Sequence, residues 1–407
     1  MIVSSPVRAR LHPAGEVMPP TVPSATVGAR SMRPSGPPRL PSLTSLRFFA
    51  AAAVVVYHYG NLMPAISPLK PLLAHGYVAV TFFFVLSGFV LTWSHDRAAT
   101  TGDFYRRRFA RVWPLHLVTT AAAVVVVWSR GLPQDPAALA LAVTLLQAWA
   151  PALTSTFVYN GPSWSLSCEA FFYAVFPVLI VLVRRLPRRA PAVAVVALVM
   201  VASTVASVLL VPAGPRWGVG FVLYVDPAFR LPEFVLGMLL AEAMRSGWRP
   251  RLSFSGALWS VGLAYLALMA LTQLVIATGH GQPTYPVGDL VLAGPCALVV
   301  VTAAARDLSG VTGRLTAPRT IRWGERSFAL YLVHMLIILA AAPLYADAGF
   351  WQGLLVAAAL SGVALAAAAL LHRTVEQPWE RRLRPPRRAT GTRPVTEHVE
   401  GARPVAD

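Results

Sequence analysis

From residue 43 to residue 372 the chain repeats one pattern, an apolar run of about 20 residues followed by a short polar or basic break. Wound as a helix, a run of that length crosses a hydrocarbon core of about 30 Å. The pattern predicts spans near 43–63, 76–94, 109–129, 163–183, 191–211, 231–244, 255–277, 288–305, 327–345 and 351–372. One further apolar piece, "AALALAVTLLQAWA" (137–150), is shorter, and its length suits a re-entrant or interfacial segment. Pro227 and Pro232 interrupt the run before 231–244, which predicts a loop over 212–230 and a helix that begins after Pro232.

Charge settles the parity. With the N-terminal tail in the cytoplasm and 137–150 not crossing, the loops holding Arg106–Arg108, Arg184–Arg185, Arg245–Arg251, Arg306–Arg322 and Arg381–Arg388 share the cytoplasmic side. The outer loops then keep Lys70, Arg130, Arg216 and Arg230. If 137–150 crossed, "RRLPRR" (184–189) and the Arg306–Arg322 loop would fall outside.

Composition agrees. Charged residues make up 13% of the chain and hydrophobic ones 56%, whereas soluble domains carry about a quarter charged residues. The net charge of +18 would suggest nucleic acid on a soluble protein. Here the arginines punctuate apolar runs and read as topology signals, so no nucleic-acid partner is expected. Cys168 and Cys296 lie in separate apolar runs and form no metal or disulfide pattern. The first 40 residues lack an apolar core, so no cleavable signal peptide is expected. The expectation is an all-α polytopic membrane bundle of about ten helices in the plasma membrane. A membrane domain over 42–380 lies between disordered cytoplasmic tails at 1–41 and 381–407.

Ionisable residues inside such spans are costly and usually face a partner or a cavity. In "SLRFFAAAAVVVYHYG" (45–60), Arg47 and His58 are eleven residues apart and share a helix face. Each has a bland alternative, a snorkelling anchor for Arg47 and an interhelical bond for His58. In "RRRFARVWP", Arg108 and Arg111 share a face and suit phosphate recognition, against a reading as topology signals alone. Glu169, two turns into its helix, falls at the depth of His58, where it either supports the imidazole or bonds neighbouring hydroxyls. Ser327, Tyr331 and His334 line one face of the ninth span, a polar seam at the least. Cys168 is a weaker candidate nucleophile, more simply read as packing.

Taken together, these stretches resemble the membrane acyltransferase 3 family. The carriers are Arg47 with His58, Arg108-Phe109-Ala110-Arg111 before Trp113-Pro114, "FFFVLSGFVL" (82–91), "SWSLSCEAFFY" (163–173), "RLPEFVLGMLLA" (230–241), "LYLVHMLI" (330–337) and "VEQPWE" (375–380). The resemblance implies O-acylation of a surface glycan, peptidoglycan or a macrolide-type small molecule. Acyl-CoA would be the donor co-substrate, with no permanently bound cofactor and no metal. It implies donor binding by Arg47, Arg108, Arg111, Tyr331 and His334, and catalysis by His58 supported by Glu169. Transfer would be direct, or by a covalent step on Cys168 or Ser167. No soluble esterase-like domain follows the last span, which favours a small molecule or simple glycan as acceptor. A transporter for an anionic solute and a non-catalytic envelope scaffold are the alternatives, the first weakened by the lack of an inverted repeat.

Overall fold

The computed structural model describes residues 37–96, 100–150, 156–187, 190–209, 223–278 and 285–383. Among them, helices occupy all ten predicted positions. In the first half these are α1 (Pro41–Leu62), α2 (Ala79–Trp93), α3 (Thr101–Ser129), α4 (Trp164–Arg185) and α5 (Ala190–Leu209). The second half supplies α6 (Pro227–Arg245), α7 (Phe254–Ala277), α8 (Tyr285–Leu308), α9 (Pro318–Ala340) and α10 (Phe350–Leu371). No strand occurs among the described residues. Among the described residues, by length and hydropathy alone, seven helices can cross a membrane, or eight when α1 is joined to the bent segment Pro64–Leu73 after it. Helix α6 falls short of that test because it carries buried charge.

Local chemistry sets the helix starts. Thr100 accepts from the Asp103 amide at 3.1 Å to cap α3. Asp226 caps α6 through the amides of Ala228 and Phe229 at 2.9 and 3.0 Å, with Pro227 in the first helical position. That cap is why α6 begins before Pro232 and not after it. The expected loop therefore ends earlier, and Arg230 sits inside a helix, 2% exposed, not in an outer loop. Arg216 and residues 212–222 lie outside the described residues, as do 1–36 and 384–407 of the two expected tails. Of the described tail residues, 37–40 are not helical and Pro41 opens α1, while a last helix carries through Arg381 and Arg382 to Leu383.

The 137–150 segment does not cross. It forms a short helix, Pro136–Thr144, capped by Asp135. Nine residues rise about 14 Å, half of what a crossing needs. Leu145 then turns the chain in the left-handed region (φ 59°), a conformation a leucine adopts at some strain. Its carbonyl accepts from Ser167 Oγ at 2.6 Å, which ties the turn to α4. The flanking helices confirm the parity. Phe104 stacks on Phe176 at 5.0 Å while Arg108 lies over Tyr173, so α3 and α4 run antiparallel.

Other pairings extend that register. Ser42 bonds Asp307 while Tyr57 bonds Tyr285, so α1 and α8 are antiparallel. Trp164 packs on Tyr224 and Arg184 on Glu242, so α4 parallels α6. The result gathers Arg106–Arg108, Arg184, Arg185, Arg245, Arg249, Arg251, Arg306, Arg314 and Arg319 at one end of the bundle. Lys70 and Arg130 lie at the other.

Two glycine crossings build the centre. A methyl on Gly88 would collide with the Phe234 carbonyl, and one on Gly237 with the Val85 carbonyl, so α2 and α6 touch backbone to backbone. A methyl on Gly324 would strike the Thr44 carbonyl, bringing α9 equally close to α1. We predict that Gly237→Val destabilises the detergent-solubilised protein by about 3 kcal/mol or more, the upper range for overpacking. Gly262→Ala, which meets no neighbouring atom within 4 Å, should leave the melting temperature unchanged or slightly raised. Equal melting temperatures for the two variants would show that the α2–α6 contact is loose.

Candidate active site

Helices α1 and α9 run side by side in the same direction, from Thr44 against Gly324 to His58 against His334. The two imidazoles meet midway, with His334 Nε2 3.1 Å from His58 Nδ1. His58 Nδ1 also lies 2.9 Å from the Val54 carbonyl, and His334 Nδ1 lies 3.1 Å from the Leu330 carbonyl. His334 is fully buried and His58 half-buried.

Toward the arginine-rich end, a cavity of about 40 Å³ opens between α1, α2, α4 and α9. Its polar lining is Arg47, Ser165, Glu169, Ser327 and Tyr331, and Phe83, Phe84, Leu166 and Phe328 form its apolar wall. Tyr331 reaches from the cavity toward the dyad, its ring centroid 6.0 Å from that of His334. Its hydroxyl bonds Ser165 at 2.9 Å and donates to the Pro162 carbonyl at 3.1 Å. The Arg47 Nε is buried with no hydrogen-bond partner among the described residues. A buried donor left so costs about 1–3 kcal/mol, more when charged, which makes an anionic occupant favourable.

The structure separates residues that share a motif. Arg111 is clamped by Glu376 at 3.2 Å and Glu380 at 2.5 Å, both from "VEQPWE". Arg108 pairs with no carboxylate among the described residues. Its guanidinium lies 5.9 Å from the rings of both Phe104 and Tyr173, and its Nε is buried without a partner. Glu169 accepts from the Tyr173 hydroxyl at 3.0 Å and faces the Arg47 cavity. The imidazole next to His58 is His334, so Glu169 sits with the arginines and not with the histidine. Cys168 is fully buried and donates to the Val225 carbonyl at 3.3 Å. Ser167 is committed to Leu145, so neither candidate nucleophile faces the cavity.

One network escaped the sequence reading. Arg230 of α6 pairs with Asp289 of α8 and, at 3.1 Å, with Glu233 one turn on. Thr81 of α2 donates to Asp289 at 2.7 Å. The guanidinium stacks on Phe84 at 5.2 Å and on Tyr224 at 5.0 Å. Asp289, a lone acid in an apolar run, and the Arg230–Glu233 spacing of three were the available signals. His116 was also missed: wholly buried, it bonds the Ala142 carbonyl at 2.9 Å and docks the short helix onto α3.

A family model described as an acyltransferase domain matches residues 40–373, nearly the whole described bundle. The chain belongs to the acyltransferase 3 family. Acyltransferase MdmB of Streptomyces mycarofaciens is 36% identical over 391 residues, covering 89% of this chain and 97% of that protein. Exopolysaccharide production protein ExoZ of Rhizobium meliloti is 27% identical over 78% of this chain and 93% of its own length. O-acetyltransferase OatA of Staphylococcus aureus is 24% identical over 74% of this chain, which spans 51% of that relative. No solved structure matches. The chain is therefore an acyltransferase enzyme, and the transporter and scaffold alternatives give way. Among the described residues no group of His, Cys, Asp and Glu is arranged to hold a metal ion.

The split between the paired arginines gives a direct expectation. Arg111→Ala should lower stability by roughly 2–3 kcal/mol, because Glu376 is left buried without its guanidinium. This is below the cost of breaking a fully buried pair, since the Arg111 side chain is 26% exposed. Arg108→Ala should leave the melting temperature nearly unchanged. Equal destabilisation by the two variants in a thermal-shift assay would overturn the distinction.

Proposed function

We propose that this acyltransferase is an integral-membrane O-acyltransferase. It carries an acetyl or short acyl group from acyl-CoA to a hydroxyl of a glycan or a glycosylated or macrolide-type small molecule. The observation that carries the proposal is the Arg47 cavity itself: its Tyr331 lies beside His334, the neighbour of His58, and its Glu169 bonds Tyr173, over which the unpaired Arg108 lies. Arginines suit the phosphates of CoA, since they offer forked donors. The similarity to OatA, an O-acetyltransferase, and to ExoZ, an exopolysaccharide production protein, supports a hydroxyl acceptor and a glycan setting. The positive-inside rule puts the arginine-rich end, and with it both termini, in the cytoplasm of a bundle that crosses the plasma membrane ten times. The donor then enters from the side where acyl-CoA is made. Arg111 enters the donor site only if phosphate displaces Glu380, the more exposed of its two partners.

The chemistry is direct transfer. His58 Nε2 takes the proton of the acceptor hydroxyl as its oxygen bonds the thioester carbonyl carbon. The C–S bond breaks, and the departing CoA thiolate receives that proton back from His58. The cavity is far narrower than the roughly 300–1,000 Å³ of typical ligand pockets, so donor entry requires its apolar wall to part.

The test is purified protein with labelled acyl-CoA and a hydroxyl acceptor. CoA release should depend on the acceptor. His58→Ala should slow transfer about 10²–10⁴-fold, the usual cost of losing a general base, while donor binding persists. A His58→Ala rate within threefold of wild type at saturating substrates would remove His58 as the base. For the orientation, cysteines at Arg185 and Arg319 should be shielded from an impermeant thiol reagent in intact cells, and cysteines at Lys70 and Arg130 labelled. The reverse pattern would invert the bundle.

A further inference from the structure

The contact between His334 and His58 calls for its own account, because two neutral imidazoles facing each other can be arranged in only one useful way. Each ring has a nitrogen against a main-chain carbonyl, which can only accept. The Leu330 carbonyl at 3.1 Å requires a proton on His334 Nδ1, so the His334 Nε2 keeps a lone pair. That lone pair points at His58 Nδ1 from 3.1 Å, while the Val54 carbonyl faces the same atom at 2.9 Å. Both neighbours of His58 Nδ1 are acceptors, so the proton of neutral His58 resides there. The Nε2 of His58 is left as a free base.

We infer that His334 is a positioning residue of the transfer step: its Nε2 shares the His58 Nδ1 proton, aims the His58 Nε2 lone pair at the acceptor, and holds the imidazolium that forms. This assignment rests on His58 being the base. When His58 takes the hydroxyl proton, its Nδ1–H becomes a charge-assisted donor, and such bonds are roughly twice as strong as neutral ones. The Val54 carbonyl also accepts within its own helix, so the ring lone pair of His334 is the partner free to strengthen. His334 cannot itself be the base, since both of its nitrogens are engaged.

Two variants and a spectrum test this. Gln at 334 places an amide oxygen near the Nε2 position and keeps an acceptor for His58, whereas Leu removes it. His334→Leu should lower kcat about tenfold or more, equivalent to about 1.4 kcal/mol of transition-state stabilisation, with KM for acyl-CoA within about twofold of wild type. His334→Gln should recover most of that loss. A fall carried by KM, or a Gln variant no better than Leu, would overturn the assignment and return His334 to donor binding or packing. If both variants fail to fold, the wild-type protein still decides. With ¹⁵N-histidine labelling, and His58 signals identified by subtraction of His58→Gln, the His58 Nδ1 should be protonated and Nε2 not. A proton on Nε2 would overturn the proposal. An inactive His58→Ala beside a fully active His334→Leu would sink this inference alone, whereas an active His58→Ala would sink the underlying mechanism.

Discussion

The centre of this molecule depends on α1 lying directly against α9. Hydrocarbon surroundings supply no hydrogen bonds, so a polar group inside the bundle must find its partner within the protein, and a ring nitrogen not bonded to its own helix needs one on a neighbour. Two histidines can satisfy each other only if their helices approach closely and in register. Gly324 allows the approach, because any side chain there would meet the Thr44 carbonyl. The parallel run then carries that contact about four turns along α1 to His58 and about three along α9 to His334. Ser45 Oγ, which donates to the Leu315 carbonyl at 2.6 Å, holds the arginine-rich end of the pair. Ser361 of α10 donates to the Tyr59 hydroxyl at 3.1 Å and braces the far end.

The second core, α2 against α6, works differently. Its backbones also touch, through Gly88 and Gly237, but its polar content is ionic. One guanidinium, Arg230, lies between the carboxylates of Asp289 and Glu233, all three 2–3% exposed. Losing any one member would leave the others buried and mismatched, which makes the network a strict constraint on how α2, α6 and α8 assemble. It also reaches the cavity: Arg230 stacks on Phe84, and Phe84 forms part of the cavity wall. The rigid ionic core thus sets one wall of the chamber, and the histidine seam lies beyond another.

The fold was legible to the extent that it follows one-dimensional rules. Helix positions follow apolar run length, and the non-crossing 137–150 segment follows from where arginines sit. Both hold because the bilayer filters sequence directly, through thickness and charge asymmetry. What was not legible depends on pairing. The spacing of Arg108 and Arg111 put both on one face, yet nothing in that spacing revealed that Glu376 and Glu380, some 265 residues later, would claim Arg111. Glu169 was placed at the depth of His58, which is a statement about height. The side of the bundle it faces is set by packing, and packing gave the histidine an imidazole neighbour. Arg230 departs from the predicted loop for a local reason: Pro232 predicts a helix start, but the Asp226–Pro227 cap is the stronger signal.

The surroundings of the cavity also bear on the route of the acyl group. A covalent intermediate needs a free side-chain nucleophile beside the base. Ser165 is engaged with Tyr331 and Pro162, and Ser327 donates to the Gly324 carbonyl at 2.7 Å. Ser167 supports the strained turn at Leu145, and Cys168 faces Val225. Each of these would have to give up a buried hydrogen bond before attacking, at a cost of about 1–3 kcal/mol for the partner left unpaired. His58, by contrast, presents a ring nitrogen with no hydrogen-bond partner among the described residues. An incoming hydroxyl can meet that nitrogen without dismantling anything. Under the proposed reading the acceptor itself is the nucleophile, and the enzyme's part is to hold a base in one tautomer within reach of a thioester anchored by arginines.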